Sequence, residues 1–191
     1  MSIKSIKTGW TGISVLAGNP QPGSFESIQT VTVASTAATV EFTSIPSGYT
    51  HLQIRGIAKS TGTGSQDLQV GFNSNTSSYA FHSLYGTGGG GTASSTNATG
   101  QTYMKMAYNF VAASSLTNIF GAIIIDILDY ANTNKTKVFR SLAGLDANGS
   151  GTMSFFSGFH SSTTSAITSI LIKPEADNFA ANTSFSLYGI R

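Results

Sequence analysis

From Phe25 onward, apolar residues recur at every second position in short runs, and clusters of Gly, Ser, Asn and Pro break the runs apart. Alternation of this kind puts one set of side chains on each face of a pleated strand and cannot line a single stripe of a helix. Val40 and Phe42 share a face, and Leu52 and Ile54 alternate with His51, Gln53 and Arg55. Leu68, Val70 and Phe72 repeat the pattern, as do Tyr79, Phe81 and Tyr85 against Ala80, His82 and Leu84. Met104, Met106, Tyr108 and Phe110 follow, and then KVFRSLAGL, TMSFFSGFH, AITSILIKP and TSFSLYGIR. The stretch FGAIIIDIL is apolar on both phases up to Asp126, which predicts a central strand covered on both faces.

Roughly ten strands are predicted, separated by turn-rich segments. The breakers are PSG at 46–48, TGTGS at 61–65, GTGGGGTASSTNATG at 86–100, NTNK at 132–135 and DANGSG at 146–151. No helical period is sustained, and FVAASSLTNIF holds at most one turn of helix. The expected fold is all-β: an antiparallel β-sandwich over residues 25–191, of the jelly-roll kind. The strand count exceeds that of a seven-stranded immunoglobulin-like sandwich, and the Cys–Trp–Cys pattern of such domains is missing. Residues 1–24 are expected to form an N-terminal extended arm, punctuated by Gly9, Gly12, Gly18, Pro20, Pro22 and Gly23.

Charged residues make up 9% of the chain, against about 25% in an average soluble domain, so hydroxyls, amides and backbone must hold the surface in water. The net charge is +2, and the ten Lys and Arg are scattered rather than gathered into the basic footprint that nucleic acid requires; no nucleic-acid partner is expected. No membrane partner is expected either, because the most apolar stretch, Ile119 to Leu128, is too short to span a bilayer and Asp126 interrupts it. After Lys4 and Lys7, the residues Gly9, Trp10, Thr11 and Gly12 stand where a secretion leader needs an apolar run, so none is expected. The absence of cysteine fits synthesis in a reducing cytoplasm.

Reactive groups are sparse. Asp126 and Asp129 are three apart at a strand end and are expected on opposite faces, which argues against a paired-carboxylate site. His51, His82 and His160 are isolated, without HxH or HExxH spacing, and each is expected to be a hydrogen-bonded strand-end histidine. DANGSG begins like a calcium loop, but Ser157 stands where the twelfth-position Glu belongs, and a plain turn is expected. The Gly86–Gly100 segment lacks both the following helix and the Gly-Lys-Ser/Thr of a phosphate loop, and is expected to be a long hairpin or flexible loop. No GxSxG elbow is present. No catalytic, cofactor-binding or metal set emerges, and the chain is expected not to be an enzyme.

FESIQTVTV, IPSGYTHLQIRGIA, SSYAFHSLYG with its glycine-rich sequel, and the closing TSFSLYGIR together resemble a group of tailed-phage virion proteins, notably from phages of cyanobacteria and other aquatic bacteria. The resemblance covers most of the chain from Phe25 onward. It implies a β-sandwich head displayed on the particle, often as a homotrimer, with no catalytic residues to carry over. The expectation is a capsid decoration, or cement, protein on the virion, bound to the major capsid protein. The chain has no long stalk, collagen-like repeat or heptad of the kind a fibre needs. Trp10, Ile13, Val15 and Leu16 are expected to anchor the arm on the capsid or on a sister subunit, as aromatic and aliphatic side chains dominate interface energetics. The alternative is a tail-fibre or head-fibre module that recognises a host glycan, with Tyr79, Tyr85, Tyr103 or Tyr108 stacking on sugar.

Overall fold

A computed structural model describes residues 24–88 and 91–191; the arm positions Trp10, Ile13, Val15 and Leu16 lie outside the described residues. Every regular element among the described residues is a β-strand. The larger sheet has eight strands in the order β1 (Phe25–Thr32), β14 (Ser184–Ile190), β4 (His51–Ala58), β9 (Gly121–Leu128), β10 (Val138–Asp146), β11 (Gly151–His160), β6 (Tyr79–Thr87) and β7 (Ala93–Gln101). The smaller has four, in the order β3 (Val40–Phe42), β12 (Ile170–Pro174), β5 (Gln66–Phe72) and β8 (Met104–Val111). A two-stranded ribbon pairs β2 (Thr36–Ala37) with β13 (Phe179–Ala180). All the strand pairings are antiparallel. The chain passes repeatedly from one sheet to the other, so the two layers are wired together as the expected sandwich, not laid down as separate meanders.

The inner phase of the alternation forms the core. Leu52, Ile54, Ile125, Ile127, Phe139, Phe185 and Leu187 of the large sheet, and Phe42, Leu68, Val70 and Ile172 of the small one, are wholly buried. Phe72 and Phe139 stack across the gap between sheets with ring centroids 4.4 Å apart. Each fully buried side chain of this size contributes roughly 1.5–3 kcal/mol. Glycine makes room where the packing is tightest: a Cβ on Gly56 would lie 2.1 Å from the Phe185 ring.

One expectation is corrected. The strand GAIIIDIL is central but not covered on both faces. Ile123, Ile125 and Ile127 are buried, while Ala122 and Ile124 stand exposed and Asp126 and Leu128 half-exposed. The glycine-rich segment forms the expected long hairpin, joining β6 to β7. Its second half, Ala93–Gln101, is an edge strand paired with β6, built from Ser, Thr and Asn and exposed along most of its length.

Gly56 and Gly144 are both interior strand glycines, one facing the core and one facing outward, where a Cβ would meet nothing closer than the Thr152 carbonyl at 3.8 Å. Gly56→Ala is expected to destabilise by about 1–3 kcal/mol through overpacking. Gly144→Ala is expected to stabilise by about 0.4–1 kcal/mol by restricting the unfolded chain. Chemical denaturation of the two variants checks this, and equal destabilisation of both would contradict the assignment of their faces.

Candidate functional site

The outer phase of the large sheet carries an unusual surface. Nine large apolar side chains stand exposed among the described residues: Phe25, Ile57, Leu84, Ile124, Val138, Leu142, Met153, Phe155 and Phe159. Strand parity and register place all nine on this one face. Antiparallel pairing aligns them in rows across the strands. Ile124 lies opposite Leu142, Leu142 opposite Phe155, and Phe155 opposite Leu84. Leu142 is 54% exposed and Leu84 64%. Four residues along, Leu128, Val138 and Phe159 form a second apolar row.

A polar row runs between them in register: Tyr188, Gln53, Asp126, Arg140, Ser157, His82 and Asn97 on seven successive strands. Its centre is a charge-assisted network. Asp126 accepts from Gln53 Nε2 at 2.8 Å through one oxygen and from Arg140 Nε at 2.9 Å through the other. Arg55 donates to Gln53 Oε1 at 2.8 Å, and its guanidinium lies 5.0 Å from the centroid of the Phe25 ring and 5.5 Å from that of Tyr188. Toward the β1 edge the face turns to hydroxyls, with Thr30–Ser186 and Thr32–Ser184 contacts of 2.8 and 3.0 Å. The opposite edge presents Ser95 and Asn97. The face thus consists of two apolar rows divided by a polar, charged row, with hydroxyls and amides at both edges.

At one end of the face lies an open depression of ≈ 730 Å³, whose lining includes Gly86, Ala122, Gly144, Asp146, Gly151 and Met153. Gly151 has φ +139 and belongs to the β10–β11 turn, so its glycine is conformational. Gly86 and Gly144 have ordinary φ and open space over their Cα atoms. Neither packing nor backbone explains them, and their effect is to leave the depression open on either side of Met153. Interior strand glycines of this kind mark the close approach of a ligand or another chain.

The other ionisable groups are held in structural roles. Asp129 accepts from Lys135 Nζ at 2.7 Å, and that contact holds its carboxyl below the usual range. Asp126 and Asp129 are thus engaged separately, Asp126 on the outer face and Asp129 in the loop after β9. Lys137 is buried with its ammonium donating to the carbonyls of Asn132, Lys135 and Thr164, and burial lowers its pKa. Asp146 to Gly151 forms the expected turn, with Asp146 Oδ1 accepting from Asn148 N–H at 2.9 Å. Among the described residues no group of three or more His, Cys, Asp or Glu converges to hold a metal ion, and no helix is long and apolar enough to cross a membrane.

Of the four tyrosines suggested for sugar stacking, one is out of reach of a ligand and three are half-exposed. Tyr79 is wholly buried, accepts from Phe72 N–H at 2.9 Å, and has its pKa pushed up to about 12 by burial. Tyr85 and Tyr108 stack on each other at 4.2 Å, and Tyr103 covers Gly71 beneath Lys173. The expected pattern of hydrogen-bonded histidines fails at His160. Its ring is buried edge-on to Tyr79, and although the Ser77 backbone lies near, neither ring nitrogen has a hydrogen-bond partner. Sequence reading missed the exposed apolar rows because Ile124, Phe155 and Leu84 look like core residues. The available signal was that β9 and β11 carry large apolar residues on both phases, more than one inner face can absorb.

No protein-family model matches the chain, and no curated protein sequence does. Among solved structures, the crystal structure of Caenorhabditis elegans galectin LEC-6 shares 11% identity over 83% of this chain and 94% of that one, with a TM-score of 0.34. A likeness so remote says nothing of what this chain binds.

Burial lowers the pKa of His160, so the unfolded state takes up a proton that the folded state refuses. Stability from this group is complete above about pH 6.5 and falls as pH drops below it, by at most about 1.4 kcal/mol per pH unit until the folded histidine titrates. Denaturation midpoints between pH 7.5 and roughly 5 should therefore fall for the parent chain and stay flatter for His160→Phe. Parallel profiles would remove His160 as the cause.

Proposed function

We propose that this chain is a non-catalytic phage virion surface module, a decoration or cement protein that binds the outer surface of the major capsid shell and associates with itself, as a homotrimer. The observation that carries the reading is the collection of all nine exposed large apolar side chains on the outer face of one sheet. Monomeric soluble proteins rarely gather so many exposed apolar side chains on one face. A cement protein gains its affinity by removing such a face from water, and a sparsely charged surface costs little to desolvate. The likeness of its strand motifs to tailed-phage virion proteins supports the virion setting, with synthesis in the host bacterial cytoplasm.

A second reading, a fibre module that holds a host glycan, draws on the polar row. Gln53, Asp126, Arg140, His82 and Asn97 offer donors and acceptors in one line beside the exposed ring of Phe155. That combination suits an oligosaccharide, which alternates hydroxyls with apolar CH faces.

Leu142→Glu and Phe155→Glu place charge at the centre of the face, whereas Lys173→Glu changes only the outer side of the small sheet. In phage assembled with each variant, the first two are expected to reduce virion-bound copies at least tenfold, equivalent to about 1.4 kcal/mol or more, and the third to leave occupancy unchanged. A copy number comparable to that of the major capsid protein supports decoration. A few copies per particle, with glycan-array binding lost in Arg140→Ala, would replace it with the fibre reading.

A further inference from the structure

The depression at the end of the outer face suits an occupant that is apolar and bulky. Gly144 and Gly86 leave it open on either side of Met153, which lies between them in register and is 65% exposed, and Ala122 continues the row. Asp146 stands exposed at the rim, and no cationic side chain pairs with it among the described residues. The segment 1–23 has the complementary chemistry: it holds the single tryptophan of the chain, Trp10, followed by Ile13, Val15 and Leu16, and Lys4 and Lys7 precede them.

The geometry of the chain entry bears on whose segment it is. Ser24 accepts from Arg191 N–H at 3.1 Å, and Phe25 pairs with Ile190 on the outermost strand of the large sheet. The cross-strand row of Gly144 and Gly86 meets β1 at Thr32, seven residues further along, and β10 lies four strands away. At spacings of about 3.4 Å per residue and 4.8 Å per strand, the entry point is roughly 30 Å from the depression, at the opposite end of the sheet. Strand β1 runs from Phe25 toward that row, so the preceding segment joins the sheet at the end far from its own depression and would have to turn back along the sheet to reach it.

We infer that the Gly86–Gly144 depression receives Trp10 and the following apolar residues from the N-terminal segment of a second copy of this chain. This rests on reading the outer face as an assembly surface, and it names the part of the partner that one end of the face would take. Fourteen residues separate Trp10 from Ser24, enough to reach about 46 Å when extended, so the link between neighbouring copies is within range.

The single tryptophan reports on the idea directly in the full chain. Its emission is expected to be blue-shifted and protected from acrylamide in the parent protein. Gly144→Phe, which fills the depression from above an open glycine, is expected to lose both properties while circular dichroism and the melting transition stay those of the parent. Gly86→Phe fills it from the neighbouring wall and serves if Gly144→Phe does not fold. The deciding arm co-expresses Gly144→Phe, which retains Trp10, with a Trp10→Phe chain whose depression is open. Recovery of the blue shift in the mixed assemblies is the expected result. Three results would overturn the inference: water-exposed emission in the parent, a blue shift that survives both glycine substitutions, or no recovery on co-expression, the last meaning that each segment folds back on its own sheet. None of these depends on capsid binding, so capsid occupancy fails or succeeds separately.

Discussion

Everything in this fold depends on closing the gap between two sheets of unequal width with one phase of every strand. Ile54, Ile125, Phe139 and Phe185 are sealed against Phe42, Leu68, Val70 and Ile172. Because strict alternation commits every second residue to that core, the other phase is released from any structural duty and can differ between the two sheets. It does differ. On the small sheet the outer side chains include Lys105 over a buried Asp67, Gln69, and Lys173 over the Tyr103 ring, a polar surface suited to water. On the large sheet they are Ile124, Leu142, Phe155 and Leu84. The same constraint that builds the core thus yields a sandwich with one wetted side and one adhesive side.

The all-β architecture was legible in the sequence because the core phase is almost uniformly apolar in β3, β4, β5 and β8, where alternation is clean. Legibility failed where both phases are apolar. In β9, Ile123, Ile124 and Ile125 look identical to any reading of hydrophobicity, and only the sheet order shows that nothing among the described residues covers the second phase. It failed in the other direction at Ala93–Gln101, where a strand made of Ser, Thr and Asn has no apolar phase at all. That strand exists because β6 supplies a ladder to pair with, a tertiary cause that no local pattern carries.

The candidate site was not legible for a related reason. Its polar row draws single residues from strands far apart in the chain, so Gln53, Asp126, Arg140 and His82 appear unrelated until register aligns them. The separation expected for Asp126 and Asp129 is found, and Asp126 takes its meaning from Gln53 and Arg140 on the strands either side. Gly86 and Gly144 were equally silent, since a glycine forced by packing, such as Gly56, and one that leaves a space look alike in sequence.

The edges of the large sheet are poorly suited to pairing with another strand. The exposed edge strand of β7 carries only small and polar side chains, and β1 is interrupted by a bulge between Ser27 and Gln29 and carries the Thr30 and Thr32 hydroxyls. Bulges and polar edges disfavour the edge-to-edge pairing that would extend a sheet without limit. With the edges blunted and charge too sparse to hold copies apart, the apolar face is the remaining route to burial. Under the inferred exchange, two copies can swap segments reciprocally about a two-fold axis, or each can pass its segment on in head-to-tail contacts. Such contacts form rings when the rotation between copies closes and filaments when it does not. A particle surface that fixes each copy's orientation would select the closed ring, which makes the symmetry of the shell, as much as the chemistry of the face, the determinant of how many copies join.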